Sequence, residues 1–183
     1  LQGQHNAENV MAAILLATTF IGQDFFKKKE KIIEAVQLFT LGKHRMEIVA
    51  KQNGITYVND SKATNPDSTI AAINVFEKGK NILIILGGLD KKMDFTPLLE
   101  KKKSIKKAYL IGSCKEKLNN LFKNHIDCAL FKGFEDAVNT AYDEARIGDA
   151  LLLSPSCASM DMFKNYQERG NKFIDLIKRR LSK

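Results

Sequence analysis

The chain has 183 residues, 44% of them hydrophobic and 27% charged, a balance that excludes a disordered or fibrous protein and fits one ordinary domain with additional material. Its 29 Lys and Arg against 21 Asp and Glu give a formal charge of +8, which would favour anionic partners. The lysine runs Lys27 to Lys31 and Lys101 to Lys107 lack the interleaved aromatics of a single-strand binder and read as solvated outer helix faces, so no nucleic acid is expected.

Chain order begins with Leu1 in polar sequence, with no basic signal region, which suggests a fragment of something longer and no secretory leader. From Ala7 to Ile21 the residues Val10, Met11, Ile14, Leu15 and Thr18 recur at helical spacing, with Asn6 placed to cap the first turn. Val10 to Ile21 is the longest apolar run, falls short of the roughly 20 residues of a membrane span and reads as a buried helix, so no membrane is expected. A second helix is expected over about Asp24 to Phe39 through Ile32, Ile33, Val36 and Phe39. The period then changes at Leu41 to Arg45, and a domain boundary is placed there, between residues 1–41 and 42–183.

Met46 to Ala50 and Ile55 to Val58 form a predicted hairpin around Asn53-Gly54. Strands follow at Ile82 to Leu86, Lys107 to Ile111, Cys128 to Phe131 and Ala150 to Leu153. Helices are expected at about Pro66 to Glu77, Pro97 to Lys102, Lys115 to Lys123, Phe134 to Arg146 and Met160 to Leu181, with Asn65 and Thr96 as caps before Pro66 and Pro97. Alternating apolar strands and helices predict an α/β fold: a mostly parallel, Rossmann-like sheet with helices on both faces, a short hairpin before it, and two helices ahead of that.

Ligands of such sheets bind beyond the carboxyl ends of the strands. Three loops there are polar: Asn59-Asp60-Ser61-Lys62-Ala63-Thr64-Asn65, Gly87-Gly88-Leu89-Asp90-Lys91-Lys92-Met93-Asp94 and Ser154-Pro155-Ser156-Cys157-Ala158-Ser159. Lys62 and Lys91 suit carboxylates or phosphates as point charges, and Thr64 and Ser159 can orient them. Each feature also has an ordinary reading: Gly87-Gly88 as a turn, the lysines as solvated, Asp60 as a turn former, Ser159 as a helix cap. The coincidence of three such loops at one end of one sheet favours a pocket.

Other chemistries find no support. There is no G-x-x-x-x-G-K-S/T phosphate loop, no G-x-G-x-x-G and no G-x-S-x-G elbow. Cys114, Cys128 and Cys157 are odd in number without C-x-x-C spacing, which fits a reducing cytoplasm rather than disulfides or zinc. His5, His44 and His125 are scattered, so no metal site is expected, and no histidine is evidently delivered to activate Cys157.

Several segments carry a family resemblance: His5-Asn6-Ala7-Glu8-Asn9, His44-Arg45-Met46-Glu47, Asn59 to Pro66, Gly87 to Lys91, and Ser154 to Tyr166 followed by Glu168-Arg169-Gly170. In these the chain resembles, over essentially its whole length, the carboxyl-terminal portion of the Mur ligase superfamily, in its D-glutamate-adding branch. The D-S-K-A-T-N and S-P-x-C-A-S-x-D-x-F-K-N runs are the specific part, while the two histidine-containing segments are shared more widely.

That resemblance implies an ATP-dependent, amide-bond-forming enzyme of the bacterial cytoplasm, acting in peptidoglycan precursor synthesis and so in cell shape and division. D-glutamate would be joined to UDP-N-acetylmuramoyl-L-alanine through an acyl phosphate. It implies that Asn6, Asn9, Arg45 and Asp60 hold ATP, that Lys62, Thr64, Lys91, Ser159, Met160 and Tyr166 line the D-glutamate site, and that Lys62 and Lys91 serve catalysis. Tyr166 stands where the family usually has phenylalanine. Mg2+ is implied at the phosphates, with its ligands, the phosphate loop, a carbamylated lysine and the uridine-binding domain all upstream of Leu1. Residues 1–41 would then be the tail of the central ATP-binding domain, Gly42 a hinge, and the chain a monomer inactive by itself. The competing expectation is a non-enzymatic α/β module binding an anionic metabolite through the same loops; a ligase adding diaminopimelate is disfavoured by the missing D-N-P-R segment.

Overall fold

The computed structural model describes residues 4–22, 24–38 and 42–182. The chain divides into two compact units, Leu1–Gly42 and Lys43–Lys183. In the first, α1 (Gln4–Ile21) is followed by α2 (Asp24–Lys27) and α3 (Lys29–Leu38). Asn6 therefore sits inside α1 rather than capping it, and the single second helix predicted from the sequence is broken at Lys28. Phe39 and Leu41 lie outside the described residues. Met11, Leu15, Leu16 and Phe20 are each more than half exposed, against the expectation of a buried helix. No helix of the described residues is long and apolar enough to cross a membrane.

The second unit runs β1 (Glu47–Gln52), β2 (Ile55–Asn59), α4 (Pro66–Phe76), β3 (Ile82–Gly87), a 3-10 helix (Thr96–Lys101), β4 (Ile105–Ile111), α5 (Lys115–Phe122), β5 (Cys128–Leu130), α6 (Phe134–Glu144), β6 (Ala150–Leu153) and α7 (Tyr166–Leu181). These strands make one six-stranded sheet in the order β1-β2-β6-β3-β4-β5, antiparallel only between β1 and β2. Positive φ at both Asn53 and Gly54 gives that hairpin the turn its twist favours.

Alternation along the strands builds two cores. Ile82, Ile84 and Leu86 of β3 join Leu152, Leu98, Leu118 and Phe122 on one face. Leu83 and Ile85 join Leu153, Val138, Phe173 and Ile177 on the other. The 3-10 helix, α4 and α5 thus cover one face, while α6 and α7 cover the opposite one, as strands buried on both sides require.

Caps fix where the loops end. The Asn65 side chain accepts from the Ser68 N–H at 2.8 Å and Pro66 occupies the first turn of α4, as the sequence predicts. Thr96 caps nothing: its own N–H donates to Asp94 Oδ1 at 2.9 Å. The last helix begins at Tyr166, not Met160, because the Asn165 side chain accepts from Glu168 N–H and ends a stretch of turns. The second lysine run is not a free helix face either; Lys101, Lys106 and Lys107 pair with Glu77, Asp149 and Glu144.

Candidate functional site

Strands β2, β6 and β3 lie side by side and parallel, so the loops leaving their carboxyl ends emerge at the same end of the sheet. The β3 loop is sewn to the β6 loop: Gly87 N–H donates to Pro155 O at 2.8 Å and Leu89 N–H to Ala158 O at 2.9 Å, forming an isolated antiparallel bridge. Such closeness requires glycine, since a Cβ at Gly88 would lie 2.2 Å from the Ala158 carbonyl oxygen. The β4 loop joins them through Ser113, whose N–H donates to Asp161 Oδ2 at 2.8 Å and whose hydroxyl donates to Gly88 O at 3.1 Å.

Arg169 ties the β2 loop to the β6 loop. Its guanidinium is 1% exposed and donates to Ser61 Oγ, Ser61 O and Cys157 O. These acceptors are neutral, and burial pushes its pKa down to about 10, opposed in part by the Cys157 and Asp161 side chains. Ser61 in turn donates through its hydroxyl to the Tyr166 carbonyl at 2.8 Å.

Beneath the loops lies a buried polar chain. Ser154 Oγ donates to Asp60 Oδ2 at 2.8 Å, and Ser154 and Ser156 both meet Thr69 Oγ1, at 3.2 and 2.7 Å. Asp60 Oδ1 accepts the Met46 N–H at 3.1 Å, so both carboxylate oxygens point inward in this conformation. Burial raises the Asp60 pKa to about 6, opposed by the Ser154 and Met46 hydrogen bonds and by the charge of Arg45.

The segment His44 to Glu47 is held on the β2 loop by further bonds. His44 N–H and Asn59 Nδ2 both donate to Glu47 Oε2, Lys62 N–H donates to His44 O, and Asn59 Nδ2 lies 2.8 Å from His44 Nδ1. Gly170 makes room for the imidazole, because a Cβ there would lie 2.2 Å from His44 Nδ1. This leaves Arg45 exposed between two anchored neighbours.

The remaining expected side chains are borne on these loops and at the start of α7. Lys62 Nζ sits 5.3 Å from the centroid of the Tyr166 ring, a cation–π distance, and His44 meets the same ring edge-on at 5.9 Å. Thr64 is half-buried, Ser159 is buried, and Met160 is 55% exposed. Lys91 is exposed and paired with no described residue, whereas neighbouring Asp90 binds Lys117 Nζ at 3.0 Å and caps its own turn through the Lys92 and Met93 N–H groups. Two surface hollows of about 600 Å3 elsewhere, around Arg179 and around Pro97, include none of these residues. These loops are cationic and donor-rich, suited to a small anion.

Comparison with known proteins decides the family: residues 44–157 match the model of the Mur ligase, glutamate ligase domain. The chain belongs to the Mur ligase family. It is 41% identical over 97% of its length to the UDP-N-acetylmuramoylalanine--D-glutamate ligase of Clostridioides difficile (strain 630), of which it covers 38%. The chain spans about two fifths of the length of the curated relatives it matches. Among solved structures, the UDP-N-acetylmuramate-alanine ligase of Thermotoga maritima superposes with a TM-score of 0.71 at 14% identity, covering 100% of this chain and 39% of that one. The folylpolyglutamate synthase of Mycobacterium tuberculosis, complexed with ADP and AMPPCP, gives 0.70 at 15%, covering 94% and 41%. Both likenesses show the fold.

In this Mur ligase domain, Lys62 and Tyr166 are in contact, and the loops bearing Lys62, Lys91 and Ser159 share one end of the sheet. The four residues expected at ATP are divided between the units: Asn6 and Asn9 on α1, Arg45 and Asp60 in the larger unit. Asn9 is exposed, and the Asn6 side chain lies outside the described residues. Sequence reasoning gave Arg169 no task. Its signal was a charge on the buried stripe of α7, in line with Phe173, Leu176 and Ile177. The buried partnership of Thr69 with Ser154 and Ser156 had no such signal, because it spans 85 and 87 residues of chain.

Proposed function

We propose that this domain is the carboxyl-terminal, D-glutamate-binding part of an ATP-dependent ligase that joins D-glutamate to UDP-N-acetylmuramoyl-L-alanine in peptidoglycan precursor synthesis. The observation that carries the reading is the gathering of the Lys62, Ser159 and Lys91 loops at the ends of adjacent parallel strands. The 41% identity to a relative of that name supports it.

In this reading Lys62 and Lys91 take the two carboxylates of D-glutamate as point charges, Thr64 and Ser159 hydrogen-bond them, and Met160 and Tyr166 wall the apolar chain. The cation–π contact holds Lys62 without neutralising it, which leaves its ammonium available to an anion. The amine of D-glutamate then attacks an acyl phosphate made from ATP and the muramoyl-alanine carboxyl group, and nearby cations stabilise charge on the oxygens as the tetrahedral intermediate forms. The domain contributes mainly by positioning the nucleophile.

Within the larger unit, Arg45, exposed and borne on an anchored backbone, is the group poised for the nucleotide, with Asp60; Asn6 and Asn9 on α1 are assigned to ATP by the resemblance alone. Asp60 would first have to exchange its present hydrogen bonds. No group of three or more His, Cys, Asp or Glu among the described residues could hold a metal, so none is assigned as a magnesium ligand. Magnesium, when bound with ATP, would supply charge neutralisation at the phosphates. Residues 1–41 are assigned to the tail of the ATP-binding domain and 42–183 to the terminal domain.

The test is made on the full-length protein. Phosphate release from ATP is expected only when UDP-N-acetylmuramoyl-L-alanine and D-glutamate are both supplied, and the 183-residue chain alone is expected to give no turnover. Equal use of L-glutamate, or turnover by the chain alone, would overturn the assignment.

A further inference from the structure

Cys114 and Cys157 stand 43 positions apart in the chain, yet their sulfur atoms lie 3.1 Å from one another, each residue 1% exposed. Their approach has a local cause. Cys114 follows β4 and Cys157 follows β6, while β3, which separates those strands, ends in Gly87-Gly88. A side chain at Gly88 would begin 3.2 Å from the Cys157 Cβ, so the glycine leaves the space in which the sulfurs meet. Both loops are pinned there: Cys114 N–H donates to Gly88 O at 3.1 Å, and the Cys157 carbonyl is held by Arg169.

The two thiols are chemically unequal. Cys114 is the N-cap residue of α5, and its side chain makes no capping hydrogen bond there. Its pKa is lowered chiefly by the hydrogen bond with Cys157, whereas that bond and burial raise the Cys157 pKa. Cys128 differs from both: its sulfur donates to Ile126 O, and burial pushes its pKa up to about 11.

We propose that Cys114 and Cys157 form a dithiol–disulfide site, oxidised within one chain by a small peroxide. The Cys114 thiolate attacks hydrogen peroxide; the O–O bond breaks, water leaves after proton uptake, and Cys114 becomes a sulfenic acid. The Cys157 sulfur attacks that sulfur, an S–S bond forms, and the sulfenic oxygen leaves as a second water with the Cys157 proton. Two thiols have then given two electrons to one peroxide. The sulfurs must close by about 1 Å to reach a bond of about 2.05 Å. The bond would lock the β4 loop to the β6 loop two residues before Ser159, and this chemistry does not depend on the ligand assigned above.

Peptide mapping tests it. The reduced 183-residue chain is treated with hydrogen peroxide, quenched with catalase, blocked with N-ethylmaleimide and digested. A cross-link joining the Cys114 and Cys157 peptides is expected, formed at least about tenfold faster than Cys128 is oxidised, since the Cys114 pKa is lowered and that of Cys128 raised. Equal oxidation of Cys128, an interchain link, or sulfinic acid on Cys157 without a cross-link would overturn the proposal. A second measurement needs no variant and no oxidant. A bulky maleimide should label Cys128 of the folded chain before either buried thiol, and faster native labelling of Cys114 would sink the buried pair. Cys114→Ser should reduce peroxide consumption to the rate of Cys128.

Discussion

Arg169 donates to Ser61 twice, from Nε to the hydroxyl at 3.0 Å and from Nη2 to the carbonyl at 2.8 Å, while the same guanidinium holds the Cys157 carbonyl. One buried cation thus joins with the Ser154–Asp60 bond in holding two loops together past the last strand pair, Asn59 and Leu153. Arg169→Ala removes every one of these donors and leaves buried acceptors unmet, at a cost of about 3 kcal/mol or more in urea denaturation. Arg169→Lys restores the charge but not the fork and should recover only part of that loss. Equal stability of wild type and alanine variant would show that the loops do not need the clamp.

Asp60 predicts a pH dependence whose sign is unusual for a carboxylate. Its pKa rises on folding from the ordinary 3.8 to about 6, so between those values the native state holds a proton that the unfolded chain has released. The stability this provides is complete below about pH 4 and is lost as pH rises through about 6. Asp60→Asn preserves an acceptor for Met46 N–H and a polar partner for Ser154. Relative to wild type, the variant should gain up to about 3 kcal/mol between pH 4 and pH 7. Lowered carboxylates such as Glu77 and Asp90 act in the opposite direction in both proteins and cancel in the difference. A flat difference across that range would refute the buried, proton-binding Asp60.

Gly170 lies within α7 without a positive φ, so alanine there is conformationally welcome and should gain about 1 kcal/mol of helix propensity. Its methyl would nevertheless fall 2.2 Å from His44 Nδ1 and 3.0 Å from Asn59 Oδ1. A net destabilisation of about 1–3 kcal/mol is expected, measured by chemical denaturation. Because the conflict is with the imidazole, His44→Ala should suppress most of it in a double-mutant cycle. Strict additivity would place the strain elsewhere.

Lys91, exposed and without a described ionic partner, is available for ligand and dispensable for folding. If the proposed function holds, Lys91→Ala in the full-length protein should raise the KM for D-glutamate by about tenfold or more while leaving the KM for ATP within about twofold, with an unchanged melting temperature. Equal changes in both constants would move Lys91 away from the amino acid.

The sequence by itself determined the alternation of elements in the larger unit, and for a local reason. Runs such as Ile82 to Leu86 have no polar face to expose, Asn53-Gly54 admits the positive φ of a tight turn, and Asn65-Pro66 can open a helix with only its own neighbours. Its loops were legible as polar segments after strands, which located Lys62, Lys91 and Ser159. Where the evidence was equally local but two outcomes were close, the reading slipped: Thr96 looked like a cap and Met160 like a helix start, and only the bonds to Asp94 and Asn165 resolved them. Tertiary structure alone decided strand order, and with it which loops are neighbours. It also decided that Asp60 turns inward to Ser154, that Arg169 spans Ser61 and Cys157, and that Cys114 meets Cys157. Those contacts join residues between 12 and 108 positions apart, and although the period of α7 marks Arg169 as buried, no period or spacing names the partners at such separations.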